Sequence, residues 1–217
     1  MTEKSMQIRQ LGLTSYLDTY QAMHNFTTSR TQNTQDEIWL VEHFPTFTQG
    51  RTGKAEHILR TSHIPIVHTD RGGQVTYHSP GQQIMYVMID LRRAELNIRT
   101  LVDALEQSVT QTLSRYHLDS YTKPGAPGVY IDHKKIASLG LHVKKGCTLH
   151  GLALNIKMDL SPFNDINPCG YQGLQMTQLH DYIPDIDQQQ VCQQMVNTFT
   201  QLLHYDNVHY EYNTQYG

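Results

Sequence analysis

Cysteine is scarce in this chain. Cys147, Cys169 and Cys192 are the only three among 217 residues. The count is odd and no pair has C-x-x-C spacing, which excludes a disulfide framework and a structural zinc ribbon. Long apolar runs are also missing, so no transmembrane helix is expected. Residues 1–10 are polar and lack the apolar stretch of a secretory signal. Charge is balanced, with a formal net value of -3, so neither a nucleic-acid binder nor a membrane-surface protein is indicated. Reduced cysteines and no leader point to a cytoplasmic protein. The 13 histidines are scattered, and no H-E-x-x-H pair marks a metal centre. Nucleotide-binding glycine patterns are absent too: there is no P-loop and no dinucleotide fingerprint.

What is present is an ordinary globular composition, 38% hydrophobic and 17% charged. Leu13, Tyr16, Leu17, Tyr20 and Met23 recur at helical spacing and predict an N-terminal helix. Residues 38–41, 63–69, 75–77, 84–89 and 129–131 read as strands, the fourth of them central. Residues 47–55 read as a surface loop. Ile98, Leu101, Val102, Leu105, Val109 and Leu113 define an amphipathic helix. Residues 136–143 and 149–156 predict a hairpin turning at Lys144, Lys145 and Gly146. A long loop over 159–173 precedes a C-terminal helix carrying Val191, Met195, Phe199 and Leu203. No repeat or linker divides the chain, so one domain over 1–217 is expected, strands in the middle and helices at both ends.

Two segments carry chemistry. The first is Asn167-Pro168-Cys169-Gly170. Pro168 fixes its own φ and Gly170 tolerates unusual φ, so this turn holds one thiol in place. Cys169 is therefore a candidate nucleophile. Its own loop has no basic residue between Lys157 and His180, so the fold must bring the activator; Lys135, His78, His142 and His150 are the candidates. Cys192 lies among apolar residues of a helix and reads as core. Cys147 follows two lysines, yet its position at a hairpin edge reads as structural. The second segment is Arg71-Gly72-Gly73-Gln74-Val75-Thr76-Tyr77-His78. Paired glycines let backbone approach a ligand closely; alone, the segment reads equally as a strand-connecting turn.

These segments occur in register with Pro80-Gly81-Gln82, with Lys135-Ile136-Ala137-Ser138-Leu139-Gly140 and with His150-Gly151-Leu152-Ala153-Leu154-Asn155. Together, over roughly residues 35–180, they resemble the octanoyltransferase LipB family. The resemblance implies an α/β (α+β) biotin/lipoate protein ligase-like fold with a large mixed sheet flanked by helices. It implies transfer of an octanoyl group from octanoyl–acyl carrier protein to a lysine of lipoyl domains. Those domains belong to 2-oxoacid dehydrogenase E2 subunits and the glycine cleavage H protein. The cysteine matching Cys169 becomes the acyl thioester, and the lysine matching Lys135 activates it and handles protons. Residues matching Arg71, Gly72, Gly73, Gln74, Val75, Thr76, Tyr77 and His78 line the acyl pocket, with Ser138, Leu139, Gly140, Gly151, Leu152 and Ala153.

No metal and no cofactor of the enzyme's own is implied, since phosphopantetheine arrives on the carrier. A monomer is expected. Backbone N–H groups near Gly72, Gly73, Gly140 or Gly151 are candidate oxyanion donors. Lys123, Lys134, Lys144, Lys145, Arg92 and Arg93 are candidates for docking an acidic carrier. Ser79 departs from the family pattern, where glycine is usual, and residues 142–145 are less arginine-rich. Two rival readings stand beside this one: an ATP-dependent lipoate–protein ligase on the same fold, and a non-catalytic acyl- or lipoyl-binding protein.

Overall fold

The computed structural model describes residues 4–212. Strands β1 (Ser5–Thr14), β2 (Asp36–His43), β6 (Gln82–Met88), β7 (Tyr121–Thr122), β8 (Gly128–Ile131), β9 (Lys134–Lys144), β10 (Cys147–Asn155) and β11 (Asn207–Tyr212) form one sheet. Its order is β11-β1-β2-β6-β10-β9-β8-β7. β1 runs parallel to both β11 and β2, and every other pairing is antiparallel, so the sheet is mixed. A second sheet of three strands joins β3 (Thr46–Gln49) to β4 (Ile66–His68) and β5 (Val75–His78).

Three helices cover the large sheet: α1 (Tyr16–Ser29), α2 (Ile98–Ser114) and α3 (Gln188–Leu202). Asn97 caps α2 by accepting from the Thr100 N–H, and Asp187 caps α3 through the N–H groups of Gln189 and Gln190. The apolar faces of α2 and α3, including Leu101, Leu105, Val109, Met195 and Phe199, pack on Met85, Val87 and Ile89. The alternate residues Ile84, Tyr86 and Met88 pack with Met23 of α1 on the opposite face. A strand covered on both faces needs apolar residues at every position, which is why β6 reads as a continuous run. A third cluster under the small sheet joins Phe47, Val75 and Tyr77 to Phe163 and Ile166.

Three sequence expectations are corrected. Leu13 belongs to β1 rather than the first helix, and Leu17 is 56% exposed; α1 buries Tyr16, Thr19, Met23 and Thr27 instead. The loop expected over 47–55 begins as β3, whose four residues are all buried. The polar N-terminus is a strand: Met6 and Ile8 are fully buried while Gln7 and Arg9 alternate with them. The hairpin turn is as read, with positive φ at both Lys145 and Gly146, as a two-residue turn requires.

Asp36 ties the far end of the sheet. It accepts from Arg30, Arg93, the Tyr205 hydroxyl and the Asp90 N–H. The Arg93 guanidinium is therefore a structural staple rather than a docking group. Asp36→Ala would strand the buried Arg30 side chain without its anion. We expect a loss of about 3–5 kcal/mol in chemical denaturation, the usual cost of breaking a buried pair; a loss within ~0.5 kcal/mol, the range for surface changes, would show that the network is idle.

Candidate active site

Cys169 sits on a 3-10 turn over Pro168–Gly170, closed by the Gly170 N–H donating to Asn167 O at 2.9 Å. Cys169 itself takes φ 56°, a left-handed conformation that costs a non-glycine residue about 1–2 kcal/mol. The chain leaving this turn returns to β9. Lys135 N–H donates to Gln175 O and Thr177 N–H donates to Lys135 O. This short parallel bridge brings the cysteine loop over Lys135.

Two local devices place the lysine. A β-bulge where β8 pairs with β9 sets Tyr130 opposite Lys135 and Val129 opposite Ala137, leaving Ile136 extra. Ile136 and Ala137 both enter the main core, and the bulge re-aims Lys135. Gly128 leaves room for the stem: with φ 136°, a Cβ there would stand 2.3 Å from Lys135 Cε. The Gly128 N–H is held by Glu106 of α2 at 2.7 Å. The outcome is a lysine only 2% exposed. Its Nζ donates to Pro127 O at 2.8 Å and to Cys169 Sγ at 3.3 Å. The Tyr130 ring lies 5.4 Å away. Burial pushes the Glu106 carboxyl upward, against the opposing pull of the Gly128 N–H and the Lys135 charge. Glu106 was not legible as a site residue, because a single carboxylate on a helix carries no motif.

A cavity of about 400 Å³ opens beside the pair, within the range of small-molecule sites. Of the sequence-expected pocket residues, Arg71, Gly72, Gly73, Gln74, Thr76, His78, Ser138, Leu139, Gly140, Gly151, Leu152 and Ala153 line it, along with Cys169 and Lys135. Val75 and Tyr77 do not. Side chains alternate along a strand, so those two face the third core while Thr76 and His78 face the cavity. Tyr16, Ile84, Tyr86 and Leu141 also line the wall, none of them within a motif segment. Gly151 also serves close packing, since a Cβ there would stand 2.0 Å from Met85 O on the neighbouring strand.

Arg71 lies beneath this wall, 8% exposed. Its guanidinium donates to Thr48 O and Oγ1, Gly72 O and Gln74 O. Among the described residues it forms no salt bridge with a carboxylate. Burial lowers its pKa, while negative charge on Tyr16, Cys169 or Tyr86 would act to raise it. The Thr48 hydroxyl is 3.1 Å from His78 Nε2, and His78 Nδ1 is 2.7 Å from Gln82 Oε1. Gln82 donates to Asn155, which donates to Thr177 O. One chain of hydrogen bonds thus runs from Arg71 to the bridge at Lys135. Burial pushes His78 down to about 3, so it stays neutral. The Gly72 N–H is already donated to Leu141 O at 2.8 Å, which removes it from the candidate oxyanion donors.

The other expected activators do not bond to Cys169: His150 lines the cavity but its ring, like that of His142, is turned to Asp70. His150 Nε2 is 2.8 Å from Asp70 Oδ1, and His142 Nε2 is 3.4 Å from Asp70 Oδ2. Burial lowers the pKa of His150. Burial also raises the Asp70 carboxyl, but the His150 hydrogen bond and the charges of His150, His24 and His142 together hold it well below the usual range.

Cys147 and Cys192 are buried, while Cys169 is half-buried. Burial pushes the Cys147 thiol up despite nearby Arg30, and pushes Cys192 to about 12. In the native protein, iodoacetamide should alkylate Cys169 well before either of the others. Peptide mapping checks this, and equal labelling of Cys147 would restore it as a rival.

The chain matches the family described as lipoyl protein ligase A/B catalytic domain over residues 15–200. It belongs to that family. Among the relatives of this lipoyl protein ligase A/B domain is the octanoyltransferase of Haemophilus influenzae (strain PittGG). It is 56% identical over 205 residues, covering 93% of this chain and 97% of its own length. The octanoyltransferase of Yersinia pestis (strain Pestoides F) is 56% identical over 198 residues, covering 91% of this chain and 85% of its own. Among solved structures, a bi-partite lipoate protein ligase from Thermoplasma acidophilum superposes with TM-score 0.75 at 18% identity, covering 98% of this chain and 88% of that one. A lipoate-protein ligase A bound with ATP gives TM-score 0.73 at 15% identity, covering 99% and 90%. At such identities the structures establish a shared fold, the lipoate ligase-like fold. Among the described residues, no helix of this family member is long and apolar enough to cross a membrane.

Proposed function

We infer that this chain is an octanoyltransferase, moving an octanoyl group from octanoyl–acyl carrier protein to a lysine amine of lipoyl domains. The enzyme name rests on the relatives above; one observation supports the mechanism. The Lys135 amine donates to the Cys169 sulfur at 3.3 Å, on the wall of a cavity faced by Ile84, Leu139, Leu141 and Leu152.

The reaction runs in two halves. Cys169 sulfur attacks the donor thioester carbonyl, the carrier's C–S bond breaks, and the carrier thiolate takes a proton from Lys135. The octanoyl group is then a thioester of Cys169, and its chain fills the apolar cavity. Each buried methylene stabilises it by about 0.8 kcal/mol. Lys135, now a neutral amine, accepts a proton from the incoming substrate lysine as that nitrogen attacks the thioester. The C–S bond to Cys169 breaks and the amide leaves. Exchange of one thioester for another is nearly balanced, and amide formation is downhill, so no ATP is consumed. Cys169 and Lys135 thus work as a pair, the sulfur carrying the acyl group while the lysine gives up a proton in the first half and takes one in the second.

On this reading the enzyme carries no cofactor of its own. Its acceptors are the lipoyl domains of 2-oxoacid dehydrogenase E2 subunits and the glycine cleavage H protein, and it works as a cytoplasmic monomer. Lys123, whose amine lies 4.3 Å from the centre of the Tyr130 ring beside the site, is the best placed of the basic groups to meet an acidic carrier.

Intact mass after mixing with octanoyl–acyl carrier protein, without ATP, tests the reading. The expected result is one octanoyl adduct, mapped to Cys169 and released by hydroxylamine. No adduct would favour a binding module, an adduct on Cys147 would move the nucleophile, and strict ATP dependence would favour a ligase.

A further inference from the structure

Three histidines and one carboxylate converge at one wall of the acyl pocket, where His150 itself lines the cavity, although they come from four distant parts of the chain. His24 lies on α1, Asp70 on the turn after β4, His142 on β9 and His150 on β10. The ligand-capable atoms of His24, Asp70 and His150 all lie within 4.8 Å of one another. His150 Nε2 makes a hydrogen bond to Asp70 Oδ1 at 2.8 Å. His24 behaves differently. Its Nε2 is buried and 3.2 Å from Asp70 Oδ2, yet it forms no hydrogen bond. A buried ring nitrogen aimed at this cluster without hydrogen-bond geometry is unsatisfied there, and that is costly unless something else fills the gap.

We propose that His24, Asp70 and His150 form a binding site for a divalent transition metal, zinc being the best fit, that clamps the wall of the acyl pocket. The donor set of two imidazole nitrogens and one carboxylate oxygen suits zinc; magnesium and calcium prefer oxygen ligands alone. Bond lengths near 2.0–2.2 Å in a tetrahedron set ligand atoms ~3.3 Å apart. The His24–Asp70 separation of 3.2 Å is already at that value. The side chains of His24 and Asp70 are 18% and 26% exposed, which leaves a path of entry. His142 Nε2, 3.4 Å from the same carboxylate oxygen, flanks the site without joining the triad.

The placement gives the site a consequence. Asp70 precedes Arg71 and Gly72, and His150 precedes Gly151, all lining the cavity. A metal here would join α1, the 70–73 turn and β10 at three points and stiffen that wall. The inference does not depend on which acyl reaction the pocket serves.

The experiment uses the full chain with Cys169 alkylated, so that the thiol cannot compete for metal. Equilibrium dialysis against zinc chloride should give one saturable site per chain, with a raised melting temperature. Cobalt(II) should bind with the visible absorption of a tetrahedral N/O site, and magnesium should not compete. His24→Gln should weaken zinc by more than the roughly 10–100-fold typical of losing an outer-shell partner, while His142→Gln should cost less. His24 is partly exposed, so the variant should keep the melting temperature of the metal-free parent; Asp70→Asn provides a second, shape-conserving loss of a ligand. Absence of saturable binding, or equal zinc affinity in the parent, His24→Gln and Asp70→Asn, overturns the proposal.

Discussion

Replacing Cys169 by serine is expected to abolish octanoyl transfer while leaving the fold intact. The substitution keeps the size of the side chain and can keep the left-handed turn at φ 56°. It replaces a sulfur nucleophile with a hydroxyl, which is a weak nucleophile unless a base activates it. Lys135 Nζ donates to this position and to Pro127 O, so the hydroxyl would accept a hydrogen bond there without gaining a base of its own. Any ester formed would also be a poorer acyl donor to an amine than a thioester. A fall of at least ~10³-fold is expected, equivalent to about 4 kcal/mol of lost transition-state stabilisation. The assay is mass-spectrometric detection of the octanoyl amide on an isolated lipoyl domain. Transfer at the parent rate would mean that the acyl group never rests on residue 169.

The second large effect separates activity from stability. Lys135→Met fills the same channel without the charge. Transfer should fall by about 10²–10⁴-fold, the usual range for a positioned acid–base group. Thermal stability should stay near that of the parent, because removing a buried cation relieves its desolvation cost and so offsets the lost hydrogen bonds to Pro127 O and Cys169 Sγ. The loss should appear in both half-reactions. Acylation loses the cation beside the sulfur, and amide formation loses the acceptor for the substrate lysine's proton. A Lys135→Met protein that melts far below the parent would place the residue in the scaffold. One with unchanged transfer would leave Cys169 to act alone.

How much of this was legible before the structure differs by element. α2 and α3 follow directly from their apolar spacing, and β6 and the hairpin expected over 136–156 from apolar content and the turn. β1 is hidden in the sequence because a strand at this side of the sheet needs only alternate apolar residues, and Gln7, Arg9 and Gln10 outnumber Met6 and Ile8. β3 is hidden for the opposite reason: it is buried but polar, and Thr48 is there to satisfy Arg71 and His78. At the site, the motif residues were readable and their partners were not. Tyr16 and Tyr86 reach the pocket from faces of otherwise ordinary elements, and Glu106 acts on the site only through the Gly128 N–H. The grouping of His24, Asp70 and His150 has no spacing signature at all, because three separate elements converge to make it.

The outer side of β1 has a kinetic meaning. β1 pairs with β11, and the ion pair between Arg9 and Glu211 closes a separation of 202 residues. Contacts so distant in sequence close late and make folding slow. During synthesis β1 can find β2 soon after it emerges, but its other edge must wait for residues 207–212. Until then it is a bare strand edge, the kind of surface that recruits neighbouring chains. The Lys135–Cys169 pair does not share that delay. Lys135 and Cys169 lie 34 residues apart and are bridged locally through Gln175 and Thr177. That pair can therefore come together before β11 is in place, and the β1–β11 edge is the part of the sheet that must close last.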